Sequence, residues 1–307
     1  MPLSDAYGAL HESAAYVEVS GRGRIRLTGE DRARLLHAMT TNHVLEMKPG
    51  EGRYAFFLNA QGRILADVHI FCFENHFLLD TEPEVREKIY QHLDHYIIAD
   101  DVTLEDVTDS LAAISIEGPK AKEVLSNARA PDPAGELSTG VWGSIVLANM
   151  SLTGAGGTML LMPPAEKDET IARFALPLAT ADDARVTRIE NGIPRYGEEI
   201  TERYLVQETG QMNAVHFTKG CYLGQEIVER VRSRAQIHRI LRRLEIDAQE
   251  PPAPGTKLKA GEMDAGEIAT AVYSPVKGKV VAMAYVRIPY AEAGSELKSG
   301  DALVRVL

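Results

Sequence analysis

The segment from Lys219 to Glu226, which reads Lys-Gly-Cys-Tyr-Leu-Gly-Gln-Glu, holds the residues best suited to chemistry. Two glycines bracket a cysteine and a tyrosine, and glycine allows tight turns and a close approach of a ligand to the backbone. A helix is predicted to start near Leu223, and a thiol close to a lysine and a helix start is a typical setting for a reactive cysteine. Cys221 is therefore a candidate functional thiol, with a buried structural cysteine in a tight turn as the alternative.

The region that begins with this segment is basic, although the chain as a whole is acidic. The net charge of −11 argues against a broad nucleic-acid surface, because such a surface needs a basic footprint. Between positions 219 and 243, two glutamates oppose seven basic residues: Lys219, Arg230, Arg232, Arg234, Arg239, Arg242 and Arg243. As a group they could hold an anionic ligand through bidentate arginine–carboxylate pairs, and a solvated face is the alternative. RNA phosphate is the rival ligand, but Tyr222 is the one aromatic residue available for base stacking.

Similar strand–helix units occur twice before this region. A strand, a glycine turn and a helix are predicted at Ile25–Leu36 and again at Ile114–Leu125, with Gly29 and Gly118 in the two turns. Thr28 is the predicted cap of the first helix. The spacing from the glycine to the last leucine is seven residues in both units. This repetition suggests a pseudo-duplicated α+β core.

Other segments complete the predicted architecture. Tyr54–Leu58 and Ile64–Cys72 predict a hairpin, and Asp182–Asn191 predicts a helix that ends at a glycine. The glycine-rich stretch Gly154–Gly157 is interpreted as a turn between strands, because it lacks the correctly spaced third glycine of a dinucleotide-binding loop. After Arg243, short β-like runs predict a small β-barrel or sandwich.

Length and composition limit the class of protein. A chain of 307 residues predicts two or three domains. The two cysteines, Cys72 and Cys221, argue against a disulfide scaffold and against a four-cysteine metal or cluster site, and no metal site is predicted. The first ten residues show no secretory signal, and no run of apolar residues is long enough to span a membrane. We therefore expect a cytoplasmic protein.

Several motifs together resemble one protein family. The octet Lys219–Glu226 is similar to the hallmark of YgfZ-type folate-binding proteins, which are relatives of the glycine-cleavage T-protein, a tetrahydrofolate-dependent aminomethyltransferase. The element Arg188–Gly192 with Tyr196 resembles the Arg-x-Glu-x-Gly and Tyr-Gly elements of the T-protein. Further matches, which extend the resemblance over essentially the whole chain, are Leu36–Asn42, Ile114–Pro119 and Ala282–Val286.

The resemblance implies an α+β fold in three parts. Pseudo-duplicated α+β units would surround a central folate site, and a small β-barrel would follow at the C-terminus. The predicted domains are an N-terminal folate-binding unit at 1–110, continued by roughly 185–238, a second unit at 111–184, and the barrel at 239–307. A role in making or maintaining iron–sulfur clusters is also implied, with an indirect effect on tRNA modification through cluster enzymes.

Individual residues take their expected roles from the same resemblance. The glutamate of the T-protein that matches Glu190 contacts the pterin, and a carboxylate can accept two hydrogens from the amino-pyrimidine edge of that ring. The predicted reactive groups are Cys221, Lys219 and Asp67. The residues predicted to bind tetrahydrofolate or a derivative are Glu190, Arg188, Tyr196, Gly220, Tyr222, Gly224, Gln225, Glu226 and Arg230. The alternatives are a helix-end salt bridge for Glu190 and a strand-surface charge for Asp67.

Two departures from the T-protein bear on its reaction. Cys221 stands where the T-protein has an acidic residue. The Gly-Gly-Ile-x-Asp-Asp element of the T-protein is replaced here by Gly62–Asp67, in which only Asp67 keeps a carboxylate. Cys221 could serve as a redox or sulfur-handling thiolate, as a transient cluster ligand shared with a partner, or as a nucleophile paired with His216.

The leading hypothesis is a cytoplasmic, tetrahydrofolate-binding accessory protein for iron–sulfur cluster assembly or repair, with Cys221 as its functional thiol. Its expected partners are folate and either iron–sulfur proteins or the cluster-assembly machinery, and neither a membrane nor direct nucleic-acid binding is expected. The alternatives are a folate-dependent aminomethyltransferase and a tRNA-binding factor with a continuous basic surface, so enzymatic activity stays open. A carboxylate such as Asp67 beside the reacting folate nitrogens would favour the transferase, and a thiol there would favour the accessory role.

Overall fold

The structure is a computed structural model that describes residues 3–234 and 237–307. The helices are α1 (Asp5–Glu12), α2 (Arg32–Met39), α3 (Arg86–Tyr96), α4 (Ala121–Asn127), α5 (Lys167–Phe174), α6 (Ala181–Asn191) and α7 (Gln225–Arg234). The strands are β1 (Ala15–Glu18), β2 (Gly23–Thr28), β3 (Gly52–Leu58), β4 (Ile64–Cys72), β5 (Phe77–Thr81), β6 (Thr103–Asp106), β7 (Ala112–Glu117), β8 (Thr139–Trp142), β9 (Ile145–Ala148), β10 (Gly157–Met162), β11 (Leu178–Ala179), β12 (Arg239–Ile246), β13 (Lys257–Ala260), β14 (Met263–Ser274), β15 (Lys279–Arg287), β16 (Glu296–Ser299) and β17 (Ala302–Val306). None of the helices in these ranges is both long and apolar enough to cross a membrane.

The strands form two open sheets and one closed barrel. The first sheet has the order β3-β4-β5-β2-β6 and the second the order β8-β9-β10-β7-β1-β11. In each sheet a strand is followed by a helix and three more strands, and the last of these returns to pair with the first. The turns after β2 and β7 contain Gly29 and Gly118, with φ values of +101° and +123°. The predicted pseudo-duplicated α+β core is confirmed.

The second sheet also recruits the beginning of the chain. Strand β1 pairs with β7 in antiparallel fashion and with β11 in parallel fashion. Residues 5–18 therefore build the second sheet and its surroundings, although the predicted boundary between 110 and 111 groups them with the first unit. The two units are interleaved along the chain.

Helix α2 begins later than the sequence predicts. It starts at Arg32 with Asp31 as the N-cap residue, and Thr28 is still the last residue of β2. The Asp31 amide donates a hydrogen bond to the Asp101 carbonyl oxygen, and a Cβ on Gly29 would lie only 2.0 Å from that oxygen. The prediction of Thr28 as the cap was wrong because this distant contact holds the intervening residues in a turn.

The core under the first sheet follows from alternation along β4. Ile64, Ala66, Val68 and Ile70 point into an apolar cluster that includes side chains of α2 and α3. Successive side chains of a strand point to opposite faces, so Asp67 and His69 lie on the other face of the strand and line a cavity there. One face of β4 thus stabilises the fold, and the other is free to carry polar groups.

The C-terminal region forms the predicted small barrel. Its six strands close in the order β12-β15-β14-β13-β16-β17. The ring of Tyr285 in β15 stacks on Tyr204, with 3.6 Å between ring centroids, and Tyr285 Oη donates a 2.9 Å hydrogen bond to the Glu199 carbonyl oxygen. The barrel is therefore anchored to the segment that follows α6.

Candidate functional site

A cavity of about 1170 Å³ is bounded by both sheet units, α6 and the loop after α6. Ligand pockets usually measure several hundred to about 1000 Å³, so this space can enclose a sizeable organic molecule. Its charged lining residues are Glu18, Arg22, Asp67, Glu82, Lys122, Glu136, Arg185, Arg188, Arg195 and Glu198. In the described part of the chain, no barrel residue lines the cavity. The central site therefore belongs to the two α+β units and the α6 region.

The first sheet presents a row of polar side chains to this cavity. Tyr54 of β3 and both Asp67 and His69 of β4 line it. Register places Tyr54 opposite His69, with 5.0 Å between the two ring centroids. Tyr54 Oη donates a 2.8 Å hydrogen bond to Asp67 Oδ2. We call these three residues the cavity floor.

Asp67 is a buried carboxyl group that forms no ion pair with any cationic side chain in the described part of the chain. It is 8% exposed, and within the described ranges no side chain other than Tyr54 donates a hydrogen bond to it. Burial and the charge of Glu82 raise the pKa of the Asp67 carboxyl from 3.8 to about 6. Asp67 can therefore accept hydrogen bonds from a ligand and exchange a proton near neutral pH.

His69 adds an unused polar atom to the cavity floor. Burial and the charge of Arg22 lower the pKa of His69 to about 4, so its imidazole is neutral at physiological pH. Its buried Nδ1 has no hydrogen-bond partner among the residues that the structure describes. Such an atom costs about 1–3 kcal/mol when it stays unpaired. A polar ligand in the cavity would remove that cost if it reached the ring.

Ion pairs within the protein occupy the arginines near the floor. Arg22 Nε donates to Asp80 Oδ1 at 2.7 Å, and Arg22 Nη1 pairs with Glu82. Arg195 Nε lies 2.9 Å from the other oxygen of Glu82. Arg24, which is fully buried, lies 3.4 Å from Asp80 through its Nε. These guanidinium groups hold the wall together, and Asp67 stays outside their network.

Helix α6 forms another wall and carries Arg188, one of the predicted binding residues. Ala181, Ala184, Arg185, Arg188 and Gly192 line the cavity, at spacings of three or four residues that share one helix face. Arg188 Nη1 donates at 2.8 Å to Glu199 Oε2. The structure thus brings Arg188 to the cavity, with its guanidinium paired inside the protein.

Glu190 does not reach the cavity. At 100° per residue it lies about 200° around α6 from Arg188. Its side chain is buried against α1, where Tyr7 Oη donates to Oε1 and His11 Nε2 lies 3.0 Å from Oε2. Helix geometry turns Glu190 toward α1, so its expected contact with a pterin is not supported by its position.

Tyr196 is placed in the core of the first unit. It is 8% exposed and packs in the cluster beneath the first sheet. Burial and the charges of Glu202 and Asp67 raise the pKa of the Tyr196 phenol to about 12. Tyr196 lies near Asp67 but is not among the residues that line the cavity, so its predicted contact with a ligand is not supported by its position.

The predicted reactive octet lies outside the cavity lining. Lys219 is 7% exposed, and its Nζ donates to the carbonyl oxygens of His37 and Thr40 at the end of α2. In return, His37 Nε2 donates a 2.7 Å hydrogen bond to the Lys219 carbonyl oxygen. Burial lowers the pKa of the Lys219 ammonium to about 7. Lys219 thus attaches the octet to α2, which is a structural role.

The rest of the octet packs on the β3–β4 hairpin or faces solvent. Tyr222 is buried in the core of the first unit. A Cβ at Gly224, where φ is +84°, would lie 2.6 Å from the Asn59 carbonyl oxygen, so the close approach to the hairpin turn requires glycine. The exposed residues are Gly220, Cys221, Glu226 and Arg230, and Gln225 is half-buried at the start of α7. None of these residues lines the cavity.

The basic residues between 219 and 243 do not form one binding surface. Arg239 pairs with Glu208 at 2.9 Å, and Arg232 pairs with Glu229 at 3.4 Å. Arg242 and Arg243 donate to backbone carbonyl oxygens of Ala291 and Glu190. The expected receptor for an anionic tail is therefore divided between α7 and the barrel. The stretch also includes positions 235 and 236, which lie outside the described residues.

The glycine-rich turn of the second unit also lines the cavity. Gly154, Gly156 and Gly157 belong to its lining, although the sequence indicated only a turn between strands. The buried carboxylate of Glu117 holds the preceding loop, because it accepts hydrogen bonds from Ser151, Leu152 and Thr153. Glu117, which is not among the lining residues, thus fixes a loop that lines the cavity.

Sequence reasoning missed Tyr54, His69, Arg22, Glu82 and Arg195 at this site. The available signal was alternation: positions 67 and 69 of β4 are polar between apolar neighbours, and the hairpin register pairs them with β3. The positions of Arg22 and Arg195 carried no comparable signal, because they meet Glu82 only through the tertiary fold.

Family models match both ends of the chain. The GCVT N-terminal domain matches residues 3–137, and the glycine cleavage T-protein C-terminal barrel domain matches residues 239–301. A crystal structure of the glycine cleavage system aminomethyltransferase T from Bartonella henselae aligns with a TM-score of 0.88 at 17% identity, covering 98% of this chain and 86% of that one. That likeness shows the T-protein fold.

Curated relatives match along nearly the whole chain. "Putative transferase At1g60990, chloroplastic" from Arabidopsis thaliana is 26% identical, over 97% of this chain and 71% of its own length. Aminomethyltransferases from Aquifex aeolicus and Rubrobacter xylanophilus are 26% and 28% identical, each over 94% of this chain and 80% of their own length. The chain therefore carries a match to the GCVT N-terminal domain followed by a match to the glycine cleavage T-protein C-terminal barrel domain, in the order expected for a T-protein-like chain.

Proposed function

We propose that this protein binds tetrahydrofolate or a derivative in the central cavity and supports iron–sulfur cluster assembly or repair through the exposed thiol of Cys221. The observation that carries the folate site is Asp67, a buried carboxyl group on the cavity wall with no cationic partner among the described residues. In the part of the chain that the structure describes, it is the cavity-floor group best placed to recognise a donor-rich heterocycle.

The residues of the cavity fit a folate. Apolar side chains that could cover the flat ring are Val17, Val19, Leu137, Met150, Leu152, Ile193 and Pro194. Asp67 could accept hydrogens from the amino-pyrimidine edge in a charge-assisted pair, and the unpaired Nδ1 of His69 offers one more polar contact. When bound, tetrahydrofolate supplies ring nitrogens that carry one-carbon groups. The chain contributes binding, orientation and a carboxyl group that can hold a proton.

Calorimetric titration with tetrahydrofolate tests the site. The protein should show saturable binding, and Asp67→Asn should weaken it by about 10- to 100-fold, because a hydrogen bond to a charged group contributes ~1.5–3 kcal/mol. The matched control is Asp109→Asn, since the Asp109 side chain is 94% exposed. Absence of binding at millimolar ligand, or equal loss in both variants, would contradict the proposed site.

The iron–sulfur role is supported by the position of Cys221. Its side chain is exposed on a loop that Lys219 fixes to α2, so a partner protein can reach the thiol. Two cysteines cannot complete a cluster site, and Cys72 is buried elsewhere. We therefore infer a transient contact with an iron–sulfur protein or with the cluster-assembly machinery, and through cluster enzymes an indirect effect on tRNA modification.

Aminomethyl transfer is the second candidate, and the position of Asp67 favours it. The missing first aspartate of the T-protein element corresponds to Ala66, which packs in the core on the far side of β4. Its absence therefore removes no group from the cavity. A glycine-cleavage assay with a lipoyl carrier protein distinguishes the two functions: robust turnover that Asp67→Asn abolishes would establish the transferase, and no turnover would leave the accessory role.

A further inference from the structure

Asp67, a residue of the cavity floor, lies opposite a second carboxyl group, that of Glu82. The register of β4 and β5 pairs His69 with Asp80, and its continuation by two residues places Glu82 opposite Asp67. Thr81 Oγ1 donates a 2.7 Å hydrogen bond to the Asp67 carbonyl oxygen, which shows that the two chain segments stay together beyond the last paired residue. Both carboxyl groups line the cavity.

The surroundings of the two carboxyl groups differ. Glu82 pairs with Arg22 through one oxygen and with Arg195 at 2.9 Å through the other. Asp67 has only the neutral Tyr54 phenol as a side-chain donor, and within the described ranges no arginine or lysine pairs with it. Two nearby carboxyl groups in unequal surroundings divide the roles of base and acid between them.

We propose that Glu82 is a positioning residue of the cavity: clamped by Arg22 and Arg195, its carboxylate makes Asp67 the member of the pair that takes up and releases a proton. The charged and titratable groups that face Asp67 are Tyr54 from β3, His69 from β4, Glu82 after β5, Arg22 before β2 and Tyr196 after α6. Arg22 acts on the pKa of Asp67 in the opposite direction to Glu82, and the effect of Glu82 is the larger of the two.

This arrangement deepens the proposed function and rests on it for its purpose. With burial, the charge of Glu82 raises the pKa of Asp67 to about 6, so Asp67 can take up or release one proton close to neutral pH. A ligand N–H that loses its proton in the cavity could pass it to an Asp67 oxygen. Glu82, whose carboxylate pairs with Arg22 and Arg195, would act on that proton through Asp67.

Carbon-detected NMR of protein labelled with ¹³C-aspartate measures the effect without any ligand. The side-chain carboxyl signal of Asp67, assigned as the one absent from Asp67→Asn, should titrate with a midpoint near 6. In Glu82→Gln the midpoint should fall by about one pH unit or more, because removal of a nearby like charge favours the ionised form. Glu82→Asp keeps the charge and should leave the midpoint near 6.

Glu84→Gln is the matched control. Glu84 also pairs with Arg195, at 2.6 Å, but it is not among the residues that line the cavity, so the midpoint of Asp67 should not move. An unchanged midpoint in Glu82→Gln would overturn the proposal, as would an equal fall in Glu84→Gln. Preserved signal dispersion in Glu82→Asp would show that substitution at this position does not unfold the chain.

The result of this NMR titration can be distinguished from the result of the tetrahydrofolate-binding experiment. If the midpoint falls as expected but the protein binds no tetrahydrofolate, the role of Glu82 stands and the proposed ligand is wrong. If tetrahydrofolate binds but the midpoint stays unchanged in Glu82→Gln, the folate site stands and Glu82 has no positioning role.

Discussion

The cavity floor and the octet Lys219–Glu226 are opposite kinds of site. The floor gathers Tyr54, Asp67 and His69 from two strands into a buried polar surface within a large cavity. The octet is contiguous in sequence, and it combines a buried anchor, Lys219, with an exposed thiol, Cys221. The floor is built to enclose a small molecule, and the octet is built to present a side chain to the outside.

Because of this difference, ligand binding and the role of the Cys221 thiol are assigned to two separate parts of the molecule. Lys219 and Gly224 hold the octet against α2 and the β3–β4 hairpin, so Cys221 keeps a fixed position on the surface. The same hairpin carries Asp67 on its cavity side. The hairpin therefore carries one site and packs against the other, and each site can be altered without directly removing groups from the other.

The largest expected effect is on the biological role of the thiol. In a strain that lacks this protein and has reduced activity of iron–sulfur enzymes, Cys221→Ala should fail to restore that activity, because the partner would have no thiol to contact. Folding and tetrahydrofolate affinity should stay unchanged, since Cys221 is exposed and outside the cavity lining.

The buried Cys72 provides the comparison for that experiment. Cys72→Ser should still rescue activity if the variant folds, because no role is assigned to that thiol. Full rescue by Cys221→Ala would reduce Cys221 to a surface residue and would remove the support for a separate external site.

A second effect concerns stability at the cavity floor. The pKa of Asp67 is raised from 3.8 to about 6 in the folded protein. The ionised carboxylate therefore lowers the free energy of unfolding by at most ~3 kcal/mol. The folded state gains relative stability below pH 4, and this gain is lost as the pH rises through 6. Asp67→Asn should therefore be more stable than the parent at pH 7.5, by up to ~3 kcal/mol in urea unfolding.

At pH 4 the stability difference between the parent and Asp67→Asn should shrink toward zero. Cys221→Ser, altered at the exposed site, should show no such dependence on pH. A parent protein that is more stable than Asp67→Asn at pH 7.5 would mean that the carboxylate stabilises the fold, which would contradict the expected cost of burying the ionised Asp67.

The smallest expected effect is on the pH dependence of affinity. If the ionised Asp67 accepts hydrogens from tetrahydrofolate, the affinity should be constant above pH 7 and fall as the pH drops through 6. The limiting slope is about tenfold per pH unit. Calorimetry at pH 7.5 and pH 5 measures the ratio, and Asp67→Asn controls for titration of the ligand. An equal ratio in both proteins would place the titrating group elsewhere.

Local patterns predicted most of the fold and only part of the site. The β3–β4 hairpin, helix α6 with Gly192 at its end, and the barrel follow from periodicity and turn residues near one another in sequence. The predicted start of α2 was wrong because the start depends on a contact between Gly29 and Asp101, which are far apart in sequence.

The site depended on contacts that sequence spacing does not encode. Asp67 was identified through a resemblance to the T-protein element, whereas Glu82 acquires its role by meeting Arg22 and Arg195, which are far from it along the chain. Glu190 was expected beside the ligand, but the orientation of α6 against α1 turned it away. Motif matching points to residue types and does not determine which helix face they occupy.

A crystal structure of the protein grown with tetrahydrofolate tests the central claim most directly. The account predicts ligand density in the cavity between the first sheet and α6, with a ring nitrogen within hydrogen-bond distance of an Asp67 oxygen. Ligand density against Lys219–Arg230, with none beside Asp67, would contradict it.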